Sequence, residues 1–254
     1  IIFTEERDDP MFEASYSIPY AGIGPDGRMK LPVLLDILQD MADRDARRMS
    51  MTVSDLLPKG ISWVLRRYTV SVERYPEYES TLTVKTWHGP RRNLHSMRAF
   101  SVWDDRGPVA SADTSWILID LERGRPLRLD RHATPRYVEE SLPVTAEFPD
   151  LPCPEEWEDE RPFSVRRWDL DRNNHVNNAV YFSWAAEAVP EETAKDCSLV
   201  RVDAEYLRPT EGRGDIRVRT ARPGVQGAEI SYVHSIVGPE GDEKARVITL
   251  WRKG

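Results

Sequence analysis

Apolar residues at positions 31, 34, 35, 38, 41, 42, 46 and 49 recur with the spacing of one helix face, and Pro32 suits a first turn. The pattern predicts a helix from about Leu31. Asp40 with Arg44, and Asp43 with Arg47, stand four apart on its polar face and support it slightly. Around this helix the period changes to two. Phe12, Tyr16, Ile18 and Tyr20 alternate like a strand, as do Val64, Tyr68, Val70 and Val72, and then Leu82, Val84 and Thr86. Asp104-Asp105-Arg106-Gly107 reads as the turn of a hairpin joining 97–103 to 109–119. Asp26-Gly27 marks another turn, just before the helix.

The pattern then breaks. Prolines stand at 126, 135, 143, 149, 152, 154 and 162, and the stretch ends in Glu155, Glu156, Glu158, Asp159 and Glu160. This predicts a surface connection with little regular structure over 126–162, between a first unit at 1–125 and a second at 163–254. The second unit repeats the grammar of the first: a turn, a helix, then strands near 200–204 and 216–220 and a strand pair around Gly238-Pro239-Glu240-Gly241. A shift of 145 residues sets Asp26 on Asp171 and Leu31 on Val176, so the two helices begin together. A shift of 134 sets Thr81 on Asp215 and Gly107 on Gly241. One helix followed by an antiparallel sheet, twice over, is an internal duplication.

The second helix differs from the first in its surroundings. Asp171, Asn173 and His175 alternate ahead of it, so an extended backbone would point all three to one side. Val176, Ala179, Val180, Phe182, Trp184, Ala185, Ala186, Ala188 and Val189 then make it apolar nearly all round, until Pro190 stops it. Asn177 or Asn178 is placed to cap it. A His with a carboxylate and an amide at a helix start has the parts for acid–base chemistry beside an anion site. At the 145-residue shift His175 falls on Lys30, Asn173 on Arg28 and Asn177 on Pro32. The first unit lacks the polar set, which predicts one active site, on the second unit, with the first shaping a substrate channel.

Composition narrows the class. In 254 residues, 40% are apolar and 31% charged, which suits a folded domain with a wet surface, and no run reaches the length of a membrane span. The net charge of −8 argues against a nucleic-acid binder. Acidic residues follow Ile1-Ile2-Phe3 at once, so no secretory signal is visible, and opening on Ile1 rather than Met suggests a trimmed chain. Cys153 and Cys197 have no metal or redox spacing and read as reduced thiols of a cytoplasmic protein. His88, His95, His132 and His234 make no metal-spaced pair, so no metal or other cofactor is expected. Trp87, Trp103, Trp116 and Trp184 read as core.

The stretch Asp169-Leu170-Asp171-x-Asn173-x-His175-Val176-Asn177-Asn178-x-x-Tyr181-x-x-Trp184-x-x-Glu187 closely resembles the signature of the acyl-acyl-carrier-protein thioesterases, the plant Fat type and its bacterial relatives. Trp63-Val64-Leu65-x-Arg67, Arg74-Tyr75-Pro76 and Thr86-Trp87 resemble that family's first half. The resemblance covers roughly residues 12–252. It implies an α+β tandem hot-dog fold, two long helices each wrapped by a curved antiparallel sheet. It also implies hydrolysis of the thioester joining a fatty acyl chain to acyl carrier protein, with no cofactor, no membrane span and room for a homodimer. Asp171, Asn173 and His175 carry over as catalytic-site residues; Asn177, Asn178 and Trp184, in the same stretch, are read as substrate-binding candidates. A hot-dog hydratase or dehydratase, an acyl-CoA thioesterase and a non-catalytic acyl-binding module are the alternatives.

The family also places a Glu after the strand that follows the buried helix. Counting registers that position on Pro209 or Thr210, with Glu211 close but out of step. A one-residue bulge at Gly212 and Gly214 would turn Glu211 into the site. The rival, which the register favours, leaves Glu211 a solvated turn residue and Asp171 the base. Which of Asp171 and His175 activates water stays open, as do amides near Val176–Asn178 as oxyanion donors. Carrier proteins are acidic, so docking calls for a local basic patch; of the four arginine pairs Arg47-Arg48, Arg66-Arg67, Arg91-Arg92 and Arg166-Arg167, Arg47-Arg48 and Arg91-Arg92 are put forward as the candidates.

Overall fold

The computed structural model describes residues 10–92, 94–144, 146–226 and 229–253, except the side chains of 90–92 and 223–226. The chain forms two units, one built from residues up to 66 and 73–147, the other from 67–72 and 148 onward.

In the first unit, α1 (Leu31–Arg48) begins with proline in its first turn and ends with Arg47 and Arg48, cations suited to a helix C-terminus. Its apolar stripe is buried through Leu34, Leu38 and Met41. β1 (Phe12–Ser17), β3 (Thr81–Arg92), β4 (His95–Asp104) and β5 (Gly107–Asp120) pair antiparallel in that order, with β2 (Ile61–Val72) beyond β5. Inward residues Leu82, Val84, Val102 and Leu118 complete the core. A short helix α2 (Val53–Leu56) carries a capping box in which Thr52 and Asp55 satisfy each other's amides.

Part of the proline-rich stretch belongs to this unit, against the expectation of an irregular connection. β6 (Arg125–Leu127) pairs with β5, and α3 (Pro135–Glu139) starts on Thr134, whose hydroxyl accepts from Tyr137 N. Leu129 and Tyr137 are buried with Met49, Met51, Leu56 and Ile61. Pro126 and Pro162 lie in edge strands and Pro135 starts a helix, while Pro143, Pro149, Pro152 and Pro154 lie outside helices and strands.

In the second unit, β7 (Asp159–Ser164), β9 (Asp215–Gln226), β10 (Glu229–Val237), β11 (Glu243–Lys253) and β8 (Cys197–Tyr206) pair antiparallel in that order. Arg67–Ser71 at the end of β2 pairs with β8. α4 (Asn178–Glu187) is apolar because almost every side is covered: within it only Glu187 is exposed. Phe182 meets Tyr68 and Tyr206 edge-on, with centroids 5.4 and 6.4 Å apart. Such buried aromatics each contribute on the order of 2–3 kcal/mol by removal from water. Pro190 then ends this helix and heads α5 (Glu191–Asp196).

Each unit is therefore one principal helix against an antiparallel sheet. No helix of the described residues is long and apolar enough to cross a membrane.

Candidate active site

The polar string is a turn and not an extended strand. Asn174 N donates to Asp171 O (3.0 Å), Asp171 N to His175 O (2.7 Å), and Leu170 bridges Val176. Asn174 takes φ +59°, a left-handed value that asparagine tolerates. Asp171 closes the loop with its side chain: Oδ1 accepts from Asn173 N at 2.8 Å and from His175 N at 3.2 Å. The alternation survives in exposure, since Asp171, Asn173 and His175 are half-buried while Arg172 and Asn174 are exposed. Asn177 caps α4, its Oδ1 accepting from Ala179 N at 2.9 Å. Val176 N and Asn177 N are committed to Thr210 O and Asp169 O. The amide of Asn178 has no protein acceptor among the described residues.

Glu211 lies beside His175. The two are bridged antiparallel, with Val176 N on Thr210 O and Gly212 N on Asn174 O flanking them. This makes them a non-hydrogen-bonded pair, the kind whose side chains stand closest. His175 Nε2 is 3.6 Å from Glu211 Oε1, an ion-pair distance longer than a hydrogen bond. Both side chains are open to solvent. The extra residue that brings Glu211 here sits upstream of the glycines: Leu207 N and Arg208 N both donate to Lys244 O, which is a β-bulge. Thr210, in the register position, points the other way. It is buried, and its hydroxyl accepts from Tyr181 OH at 2.9 Å. Burial, then the bond to Thr210 working against it, sets the Tyr181 phenol above its usual pKa.

The first unit repeats most of these backbone bonds, but at a shift of 147 rather than 145. Gly24 N donates to Arg28 O, Gly27 N to Gly24 O, Met29 N to Pro76 O, and Lys30 N to Gly22 O. Ile23 bridges Met29, and Arg28 bridges Glu77. Gly27 (φ +77°) stands where Asn174 does. The bulge recurs as well, with Glu73 N and Arg74 N both on Val109 O. The counterpart of His175 is therefore Arg28 and not Lys30, that of Asp171 is Gly24, and that of Glu211 is Glu77. Aligning Asp26 with Asp171 matched residue types and missed the turn. At the corrected register Lys30 faces Asn177, which caps α4, and Leu31 faces Asn178.

The remaining site candidates divide. Trp184 is only 4% exposed and packs on Phe163 and Tyr181, a core position. The Asn177 side chain is spent on the cap. Asn178 keeps its amide, and its carbonyl accepts from Tyr206 OH at 3.0 Å. Arg47 pairs with Asp43 at 2.8 Å and Arg48 with buried Asp45 at 3.4 Å, both along α1. The Arg91 and Arg92 side chains lie outside the described residues. Four arginines flank the site loop in the chain; sequence reading named Arg167, in the pair Arg166-Arg167, and missed Arg172, Arg208 and Arg213. All four are exposed, and none takes part in a salt bridge among the described residues. Trp168, beside Arg167, is 91% exposed. Among the described residues no group of three His, Cys, Asp or Glu is placed to hold a metal ion.

Residues 9–137 match the model of the acyl-ACP thioesterase N-terminal domain, and 154–253 that of the C-terminal domain. The chain belongs to the acyl-ACP thioesterase family. It is 24% identical over 97% of its length to an acyl-[acyl-carrier-protein] hydrolase, chloroplastic, of Cuphea viscosissima, covering 64% of that protein. It is 25% identical over 95% of its length to a dodecanoyl-[acyl-carrier-protein] hydrolase, chloroplastic, of Cinnamomum camphora, covering 68%. The chain thus spans about two-thirds of the length of these relatives. Its fold matches a 12:0-ACP thioesterase from Umbellularia californica with a TM-score of 0.85 at 22% identity, over 96% of this chain and 95% of that one. It matches an acyl-ACP thioesterase from Bacteroides thetaiotaomicron with 0.81 at 18% identity, over 96% and 98%. The fold is the tandem hot-dog.

Proposed function

We propose that the chain hydrolyses the thioester of a fatty acyl chain on acyl carrier protein, releasing the free fatty acid, with the working site on the second unit. The observation that carries this is the pairing of His175 with Glu211 at the start of a buried helix, beside an amide with no protein acceptor. Water, held between the pair and the thioester carbonyl, loses a proton to the imidazole as its oxygen bonds to the carbonyl carbon. Glu211 orients the ring and balances the imidazolium. The oxyanion forms against Asn178 N–H, where the helix end favours negative charge. The intermediate collapses by breaking the carbon–sulfur bond, and His175 returns its proton to the leaving thiolate. Asp171 braces the loop through Oδ1, and Asn173 borders the same space.

The first unit carries Gly24, Arg28 and Glu77 at the positions of Asp171, His175 and Glu211, a set with no group to shuttle a proton near neutral pH. Its role is to hold the acyl chain. Docking of the acidic carrier falls to the arginines around the site loop rather than to Arg47 and Arg48, whose charges are already met. The experiment is a hydrolysis assay over acyl-carrier substrates of graded length, with acyl-CoA alongside and products identified. Free fatty acid, with preference for the carrier, is expected. An enoyl or hydroxyacyl thioester would replace this reading with that of a hydratase.

A further inference from the structure

The first unit holds a cavity of about 520 Å³, open mouth included, between α1 and the inner face of β2, β4 and β5. Met51, Ala46, Trp63 and Trp116 form apolar walls. Both indole N–H groups are turned away and satisfied, Trp63 Nε1 on Met51 O and Trp116 Nε1 on Thr114 Oγ1, each at 2.8 Å. The indoles therefore offer the cavity no donor that would reject an alkyl chain.

One part of the wall is polar. Arg98, 6% exposed, donates through Nη1 alone, to Asp45 Oδ2 at 2.7 Å and to Thr86 Oγ1 at 3.1 Å. A guanidinium carries five N–H donors. Nε and Nη2 have no protein acceptor among the described residues, and Arg98 is part of the cavity wall. Ser96 and Tyr137 line the cavity too, their hydroxyls 2.5 Å apart. Asp45 does not cancel the charge, because Arg48 also reaches it, so two guanidiniums share one carboxylate. Asp43, also on the wall, is matched by Arg47. A pair kept only for structure would close both donors of the fork on the carboxylate, since that bidentate geometry is the stronger one. Here the fork is half used, and Nε and Nη2 are not among the buried atoms left without a partner, so the unused side is reachable from solvent.

We propose that this cavity binds a linear apolar chain that ends in an oxygen acceptor, the terminal oxygen resting on the side of Arg98 that Asp45 leaves open and the chain lying along Trp63, Trp116 and Met51. Two molecules present that chemistry: a free fatty acid entering by its carboxylate, and an acyl substrate whose far end bears a hydroxyl or carboxylate.

The test is calorimetric titration of the full chain with dodecanoate, dodecanol and dodecyltrimethylammonium, three heads on one alkyl length. Dodecanoate should bind at least about tenfold tighter than the cationic amphiphile, the scale of a charge-assisted hydrogen bond. Ala46→Phe fills the cavity without touching the Asp45–Arg98 pair and should abolish binding. Asp45→Asn with Arg98→Met removes both charges together and should erase the preference for dodecanoate. A parallel assay compares 12-hydroxydodecanoyl with dodecanoyl carrier substrate; a ratio that falls about tenfold in the double variant assigns the site to the far end of the acyl chain. Titratable dodecanoate that depends on Arg98 assigns it to the free acid. Equal binding of anion and cation with an unmoved substrate ratio, or undiminished binding in Ala46→Phe, overturns the proposal. The titrations need no turnover, so their failure leaves the thioesterase reading untouched.

Discussion

His175 and Glu211 face each other across a single antiparallel bridge, Nε2 to Oε1 at 3.6 Å, and in the first unit Arg28 and Glu77 occupy the same two backbone positions. The same loop, bulge and bridge thus present a proton carrier in one unit and a fixed cation in the other. Glu211→Gln keeps size and removes charge. It should lower kcat by on the order of a hundredfold, and His175→Ala by a thousandfold or so, the range of a lost general acid or base. Circular dichroism should show both variants folded, since both side chains are open to solvent. A change below about threefold in Glu211→Gln would return Glu211 to the role of a solvated turn residue.

Arg28→Ala is the matching control. Arginine stays protonated throughout the working pH range, so no proton can pass through it. Its removal should leave kcat within about twofold, within the scatter for a residue outside the chemistry. Lys30→Ala should do likewise, as Lys30 Nζ is used on Ala21 O at 2.9 Å. A collapse in kcat with either substitution would mean that the first unit takes part in the chemical step.

How much of this could be read in advance depends on where each feature is encoded. The apolar stripe of α1, the all-round apolar α4 and the alternating strands are local, and local periodicity carried them. The place of Glu211 is not local. The bulge at Leu207 and Arg208 is defined by the carbonyl of Lys244 on another strand; Gly212 and Gly214 suggested a bulge nearby but not this place for it. The repeat register failed for a related reason: Asp26 and Asp171 share a residue type, while the true landmark is a positive φ, held by Gly27 in one unit and Asn174 in the other. Trp184 was ambiguous because a motif position and a core position look alike when the helix is apolar all round.

Asp171 separates loop order from chemistry. Its Oδ1 holds the amides of Asn173 and His175. Asp171→Ala strands both and should cost about 1–2 kcal/mol of stability as well as activity. Asp171→Asn keeps an acceptor at that oxygen and should recover most of the stability. If Asp171→Asn is also active to within about threefold, the carboxylate is a brace; if it is as inactive as His175→Ala, its charge enters the reaction, on the scale expected of a catalytic group. Denaturant midpoints and kcat on the same preparations decide between the two.

His234 sets an acid limit on stability. It is fully buried between Thr220 and Thr249, each hydroxyl 3.0 Å from a ring nitrogen. Burial lowers its pKa from 6.5 to about 3. The unfolded chain therefore binds a proton that the folded chain refuses between these values, so stability is whole above pH 6.5 and falls as the pH drops toward 3. The slope should approach 1.4 kcal/mol per pH unit, or about one proton. His95, lowered by burial and then by Arg66, adds in the same direction. Urea midpoints from pH 7 to 4.5 should show the slope, and His234→Gln should flatten it whatever its effect on the midpoint itself. An unchanged slope in that variant would remove His234 as the cause.

The carrier-docking reading makes a comparison between two sets of arginines. Around the site loop, Arg167, Arg172, Arg208 and Arg213 are exposed and in no salt bridge among the described residues, in a chain with a net charge of −8. On α1, Arg47 and Arg48 are already paired with Asp43 and Asp45. Reversing a free charge removes attraction and adds repulsion; reversing a paired one also breaks a local contact, which registers as stability. Arg172→Glu with Arg213→Glu should raise KM for acyl-carrier substrate by about tenfold with little change in kcat, the pattern of lost steering and uniform binding. The same pair should matter much less for a short acyl-CoA, which carries no acidic protein. Raising the ionic strength from 0.02 to 0.3 M, chosen so that the screening length falls below about 10 Å, should narrow the gap between the wild type and the double variant. Arg47→Glu should leave KM near the wild-type value. If KM instead follows Arg47 and ignores Arg172 and Arg213, the carrier docks on α1 and the arginines of the site loop have another purpose.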